Sequence, residues 1–228
     1  MKKNLKTGLT MGLIFLFANA FSQESQSNKQ GKTTETYMDL MLNLVSTNIN
    51  YGKGNSTLSD YRKSILSPQV GLSFQAGVTP SFSIASELYF MTKGGKLESS
   101  NPLTTDKTTF RFYSVEMPLM ARYHFHKFYV NAGPSIGLNV YGTKKNEGTT
   151  SDLSFNNSSD AFKRWEAGMQ FGSGYTFRVK QKRVAIDLRY NYGLTNISNT
   201  AEMYNRSFIL SAHISKPWKS NPLGKRSE

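Results

Sequence analysis

The sequence contains no cysteine, which excludes disulfides, thiolate chemistry and a lipidated N-terminal cysteine. After residue 22 it also lacks any apolar run of helical spanning length. Residence in a membrane is then possible only as a β-barrel or a surface association. Helical periodicity is not convincing anywhere in the mature chain. Negative charge is scarce, with 15 Asp and Glu against 28 Lys and Arg. That excess does not form the basic stripe interleaved with stacking aromatics that a nucleic-acid surface needs, so no nucleic-acid partner is expected. Lys and Arg gather instead at the N-terminus, in an expected turn KQKR (180–183), in loops at Lys144 and Lys145, and in the terminal GKRSE. Most of these read as solvated loop charges. For an exported chain the natural counterpart of the excess is an anionic lipid or lipopolysaccharide surface.

The N-terminus carries an export pattern: basic MKKNLK, apolar GLTMGLIFLFANAF, then small residues. Ala18 with Ala20, or Ala20 with Ser22, meets the small-x-small cleavage rule, so residues 1–22 read as a cleaved signal peptide. Residues 23–35 are polar and without period, a flexible leader. Residues 36–218 are expected to form an outer-membrane β-barrel, and 219–228 a basic tail.

What is present is alternation. In FYVNAGPSIGLNV (128–140), Phe128, Val130, Ala132, Pro134, Ile136, Leu138 and Val140 share one face. Tyr129, Asn131, Gly133, Ser135, Gly137 and Asn139 share the other, the period of two of a β-strand. Similar segments near 36–46, 67–79, 82–94, 108–125, 127–142, 162–180, 182–194 and 204–216 predict eight strands. Tight turns at 79–81, 126–127 and 180–183 alternate strictly with longer polar connections at 47–66, 95–107, 143–161 and 195–203. An up-and-down barrel in the outer membrane places all tight turns at the periplasmic end and all long loops outside. Pro134 cannot donate to a ladder, so a bulge or a broken ladder bond is expected there.

The polar faces carry small uncharged residues such as Gly71, Ser73, Gln75, Gly168, Gln170 and Gly172, with almost no mid-strand lysine. A barrel of about eight strands has an interior that side chains fill. Glu87, Glu116, Arg122, Glu166, Asp187 and Arg189 all fall in the polar phase and are expected to form a structural polar network in the lumen, with Glu116–Arg122 and Asp187–Arg189 as pairs. The apolar faces end in aromatics: Tyr113, Tyr123, Phe125, Phe128, Trp165, Tyr175, Phe177, Tyr190 and Tyr192. Aromatics at both rims with aliphatics between them make the two girdles of a membrane barrel. The fold expected is therefore all-β, an eight-stranded antiparallel up-and-down transmembrane barrel.

Four segments resemble the PorT-like outer-membrane β-barrel family: SELYFMTKGGK (86–96), FYSVEMPLMARYHF (112–125), NAGPSIGLNVYG (131–142) and IDLRYNYGLTNIS (186–198). The resemblance implies an eight-stranded outer-membrane barrel and a link to protein secretion, with little said about activity. The first strand departs from it, lacking a glycine before its Asn-x-x-Ser stretch.

No catalytic, cofactor or metal residues are assigned. His124 and His126 share a strand end, but two ligands rarely hold a metal alone. His213, flanked by Ser211 and Ser215, has no strained nucleophile turn to serve. FGSGY (171–175) lies within a strand, without the helix a phosphate loop requires. The expected role is structural or partner-binding in the cell envelope, with a surface glycolipid or an envelope or secretion-machinery protein as partner. A narrow solute or ion pore, a lipid-modifying enzyme and a soluble lipocalin-like carrier are the alternatives.

Overall fold

The computed structural model describes residues 36–215 except 103, 157, 159, 160 and 181. The signal peptide, the leader and the basic tail lie outside the described residues. The strands in chain order are β1 (Tyr37–Tyr51), β2 (Arg62–Lys63), β3 (Ile65–Thr79), β4 (Phe82–Leu97), β5 (Thr108–Phe125), β6 (Phe128–Asn146), β7 (Thr149–Asp152), β8 (Trp165–Val179), β9 (Lys182–Gly193) and β10 (Met203–Ser215). Each long strand pairs antiparallel with its neighbours, β1 closes on β10, and the ring is a sealed barrel of eight long strands. The short β2 and β7 extend β4 and β6 at the long-loop end. Among the described residues no helix is long and apolar enough to cross a membrane, so crossing is by strands.

Alternation decides which side of the wall meets lipid. On β1, Met38, Leu40, Leu42 and Leu44 are exposed, while Asp39, Met41, Asn43 and Val45 are buried. On β6, Phe128, Val130, Ile136 and Val140 point out and Tyr129, Asn131, Ser135 and Asn139 point in. Polar residues inside and aliphatic residues outside are the inverse of a soluble carrier, whose outer face must be wetted. Two of the tight turns reverse on non-glycine residues with positive φ, His126 (60°) and Lys180 (56°), as two-residue hairpins require.

The long-loop end is more ordered than the polar composition predicts. β1 runs on to Tyr51, and Lys53–Tyr61 forms a 3-10 segment that buries Leu58. β6 runs to Asn146 and turns back as β7. Its bulge is not at Pro134: Tyr113 pairs with Tyr141 and Ser114 with Asn139, leaving Val140 as the extra residue. The phase flips there, and Gly142 comes to lie beneath Leu153 and Phe155. Pro134 keeps its register and pairs with Met169 of β8. Toward β5 the ladder stops after Pro118–Ser135 and resumes, unshifted, at Ala121–Ala132. The β4–β5 ladder likewise jumps from Ser86–Leu119 to Tyr89–Glu116 across Pro118. Two prolines thus leave a short stretch of β5 weakly tied to both neighbours, since neither has a donor.

Candidate functional site

Buried ionisable side chains converge in the lumen. Asp39, Glu87, Glu116, Glu166 and Asp187 are all buried there, with Lys93, Arg122, Arg183 and Arg189 as counter-charges. Buried charges persist only when paired and hydrogen-bonded, and these fall into tiers along the barrel.

Nearest the tight turns, Arg183 binds Asp39 at 3.1 Å and donates to Gln75 Oε1 at 3.2 Å. Its guanidinium stacks 4.2 Å over Tyr37. Arg122 donates to the same Gln75 oxygen at 2.8 Å, lies 3.8 Å from Asp187 and stacks on Tyr129. The Tyr129 hydroxyl donates to Asp187 at 3.0 Å. His213 stands between Asp187 (Nε2 at 3.2 Å) and Asp39 (Nδ1 at 3.7 Å).

In the middle tier Arg189 reaches Glu87 at 2.5 Å and Asp187 at 3.2 Å, and donates to Ser211 Oγ at 2.7 Å. Gln170 donates to the Tyr89 hydroxyl at 2.6 Å. Tyr89 packs with Met41, Val45, Met91 and Ile209, an apolar plug inside the polar ring. These large groups fit because glycines face them. A Cβ at Gly71 would meet Tyr89 Cβ at 2.4 Å, one at Gly172 would meet Arg189 Cγ at 2.4 Å, and one at Gly174 would meet Tyr129 Cζ at 2.4 Å.

In the upper tier Lys93 lies 3.0 Å from Glu166 and 3.7 Å from Glu116. Asn139 and Asn205 donate to Glu166 at 2.6 and 2.8 Å, and Asn191 donates to Glu116 at 3.3 Å. Above it the barrel mouth is filled by Ile49, Tyr51, Leu58, Leu97, Phe112, Phe162, Ile197 and Met203.

Glu87, Glu116, Arg122, Glu166, Asp187 and Arg189 are therefore all in the lumen. Asp187 and Arg189 meet, but Glu116 and Arg122 do not: Glu116 takes Lys93, and Arg122 turns to Asp187 and Gln75. The two lie six residues apart on one strand, too far along the barrel for one ion pair. Sequence reasoning missed Lys93, Asp39 and Arg183. Lys93 and Asp39 stand in the inward phase of their strands, a signal that was available. The KQKR pattern places Arg183 in a turn, yet it is the second residue of β9 and points inward. His124 turns toward the lumen and meets Ser83 at 2.8 Å, while His126 is exposed in the turn, so the two do not share a site. Among the described residues no group of three metal-ligating side chains forms.

The nine girdle aromatics all sit on the outward face: Tyr123, Phe125, Phe128, Trp165, Tyr175 and Tyr192 are exposed, and Tyr113, Phe177 and Tyr190 half-buried. Tyr113 stacks on Tyr141 at 5.7 Å, and Tyr123 meets Phe125 edge-on at 4.8 Å.

No curated protein matches the chain in sequence. Among solved structures, it is similar to Neisserial surface protein A, with 13% identity and a TM-score of 0.45, over 79% of this chain and 97% of that one. It is also similar to Ail, the attachment invasion locus protein of Yersinia pestis, with 11% identity and a TM-score of 0.42 over 79% and 99% of the two chains. A third is OprG from Pseudomonas aeruginosa, with 11% identity and a TM-score of 0.41 over 83% and 97%. The family model described as outer membrane protein beta-barrel domain matches residues 40–199, from within β1 to beyond β9. With lipid-facing aliphatics, rim aromatics and a closed polar lumen, the chain belongs to that family and is a small eight-stranded barrel of the outer membrane.

Proposed function

We infer that this barrel is non-conducting and serves a structural or partner-binding role in the cell envelope, with its ends outside the bilayer as the working surfaces. The observation that carries the reading is the filled lumen. Three polar tiers and an apolar plug occupy it, and Ile49, Phe112, Phe162, Ile197 and their neighbours fill the mouth above. A solute path would have to break several buried ion pairs at once. No catalytic group is assigned: His213 is buried among carboxylates with no open face for a substrate. The four segments that resemble the PorT-like family suggest the partner's class, a protein of a secretion or envelope apparatus.

The test has two arms. Purified protein in planar bilayers is expected to give current indistinguishable from background, and discrete steps well above it would favour a pore. Cross-linking in the native envelope, followed by purification through a tag, is expected to retain one envelope protein in near-stoichiometric amount. Recovery of the barrel alone from cross-linked envelopes would remove the partner-binding half of the reading.

A further inference from the structure

The outward face of the barrel changes character along β4, β5 and β6. Val115 and Phe90 face lipid, and the Tyr113–Tyr141 stack follows. One row further toward the long loops, Arg111 stands between Gly94 and Thr143. In the next row Lys63 of β2 pairs with Lys96 of β4, Lys96 with Thr109 of β5, and Thr109 with Lys145 of β6. Lys63, Arg111 and Lys145 are exposed and Lys96 is half-buried. Arg111 is the diagonal neighbour of both Lys96 and Lys145, so four cations form one patch across four strands.

Like charges directly opposite on a sheet repel, and Lys63–Lys96 is such a pair. Glu98 stands two residues beyond Lys96 and Asp152 is the diagonal neighbour of Lys145, but neither makes an ion pair with the patch. Among the described residues none of the four cations joins an ion pair. Glu98, in the row above, is held by Lys107 at 3.2 Å, and Asp152, opposite Thr143, accepts the Tyr141 hydroxyl. The patch's height is also specific. Four residues separate Thr109 from Tyr113, about 13 Å along the strand and roughly 10 Å above the aromatic rim once the strands tilt. Aromatic rims sit at headgroup level, so the cations lie where the charged sugars of the outer leaflet begin.

We propose that Lys63, Lys96, Arg111 and Lys145 form a binding surface for the phosphate groups of an anionic glycolipid of the outer leaflet, on the outward face of β2, β4, β5 and β6. Arg111 supplies a planar fork suited to phosphate oxygens, and the three lysines supply point charges around it. The bound phosphates replace the missing counter-charge and relieve the Lys63–Lys96 repulsion. The surface acts on lipid and does not depend on the barrel having a protein partner.

The experiment uses the full chain folded in detergent micelles, mixed with phosphorylated lipid A or with the same lipid stripped of phosphate, the bound lipid being counted by native mass spectrometry. Wild type is expected to retain the phosphorylated lipid and release the stripped one. The Lys63→Gln, Lys96→Gln, Arg111→Gln, Lys145→Gln combination is expected to lose about tenfold or more in retention. A Lys127→Gln, Lys180→Gln, Lys182→Gln combination at the opposite rim is expected to behave as wild type. Equal retention of stripped lipid, or of phosphorylated lipid by the four-site variant, overturns the proposal, as does an equal loss in the three-site variant. Soluble polyphosphate held as tightly as the lipid assigns the patch to a soluble polyanion and overturns the lipid assignment. Should the four-site variant fail to fold, single Arg111→Gln and a salt titration of wild type decide instead. Retention insensitive to both sinks the idea.

Discussion

At the scale of single residues, the lumen is governed by what each charge leaves behind when removed. Arg189 serves two carboxylates, Glu87 at 2.5 Å and Asp187 at 3.2 Å. Its loss strands Glu87, which among the described residues has no other cation within ion-pair distance. Glu116 is different, because Lys93 keeps Glu166 when Glu116 is gone. Breaking a buried pair by deleting one partner costs about 3–5 kcal/mol, and Arg189→Ala is expected to fall in that range. Glu116→Ala is expected to lose less than half as much. Urea unfolding in lipid vesicles measures both, and equal losses, or none, would contradict the tiered pairing. Glycine carries a second residue-level rule. Gly172→Val places a branched side chain where Arg189 Cγ now lies. It should destabilise at least as much as Arg189→Ala, whereas Ala167→Val, in the outward phase of the same strand, should be nearly neutral. A Gly172→Val barrel as stable as wild type would mean that Arg189 seats itself elsewhere.

At the scale of elements, alternation made most of the architecture readable. Eight strands, three tight turns and the inward phase of Glu87, Glu116, Arg122, Glu166, Asp187 and Arg189 follow from a period of two. What alternation cannot show is partner choice across the lumen. Glu116 and Arg122 share a strand and a phase, yet closure brings Lys93 to one and Asp187 to the other, and that depends on the stagger of eight strands. Strand ends were also hidden, because the long loops are polar in composition yet fold back as β7 and the 3-10 segment over apolar inward residues such as Phe112. Pro134 was readable as a fault in the ladder, and the bulge at Val140 was not, since no proline or positive-φ residue marks it. The fault has a measurable consequence. Amides from Met117 to Met120 are expected to exchange with solvent deuterium faster than those at Val115 and Arg122, because the ladder is interrupted toward β4 at Met117 and Pro118 and toward β6 at Leu119 and Met120. Pro134→Val supplies one donor and should slow that exchange. Uniform protection along β5 in the wild type would show the seam to be tight.

At the scale of the whole molecule, the barrel wall and the cap over its mouth are held by different forces and should fail separately. The wall depends on closed ladders and on ion pairs in the lumen. The cap depends on apolar burial and loop hydrogen bonds, with Phe162 against Phe112 and Phe110 at ring distances of 5.2 and 5.9 Å, Ile197 fully buried beside them, and Lys163 N donating to Ile197 O at 2.8 Å. Phe162→Asp puts a carboxylate into that apolar cluster at a desolvation cost. The loops carrying Lys163, Arg164 and Lys107 should then open to trypsin several-fold faster, because local opening tracks local stability rather than that of the wall. Heat-modifiable migration on detergent gels should stay as in wild type, since every strand pairing below remains. Current through the variant should stay at background too, because the Lys93–Glu116–Glu166 tier still crosses the lumen beneath the lost cap. Conductance on removing the cap alone would make the mouth a gate and the tiers below it permeable. Silence in Phe162→Asp, followed by current only when Lys93→Ala and Glu166→Ala are added, would place the barrier in the charged tier.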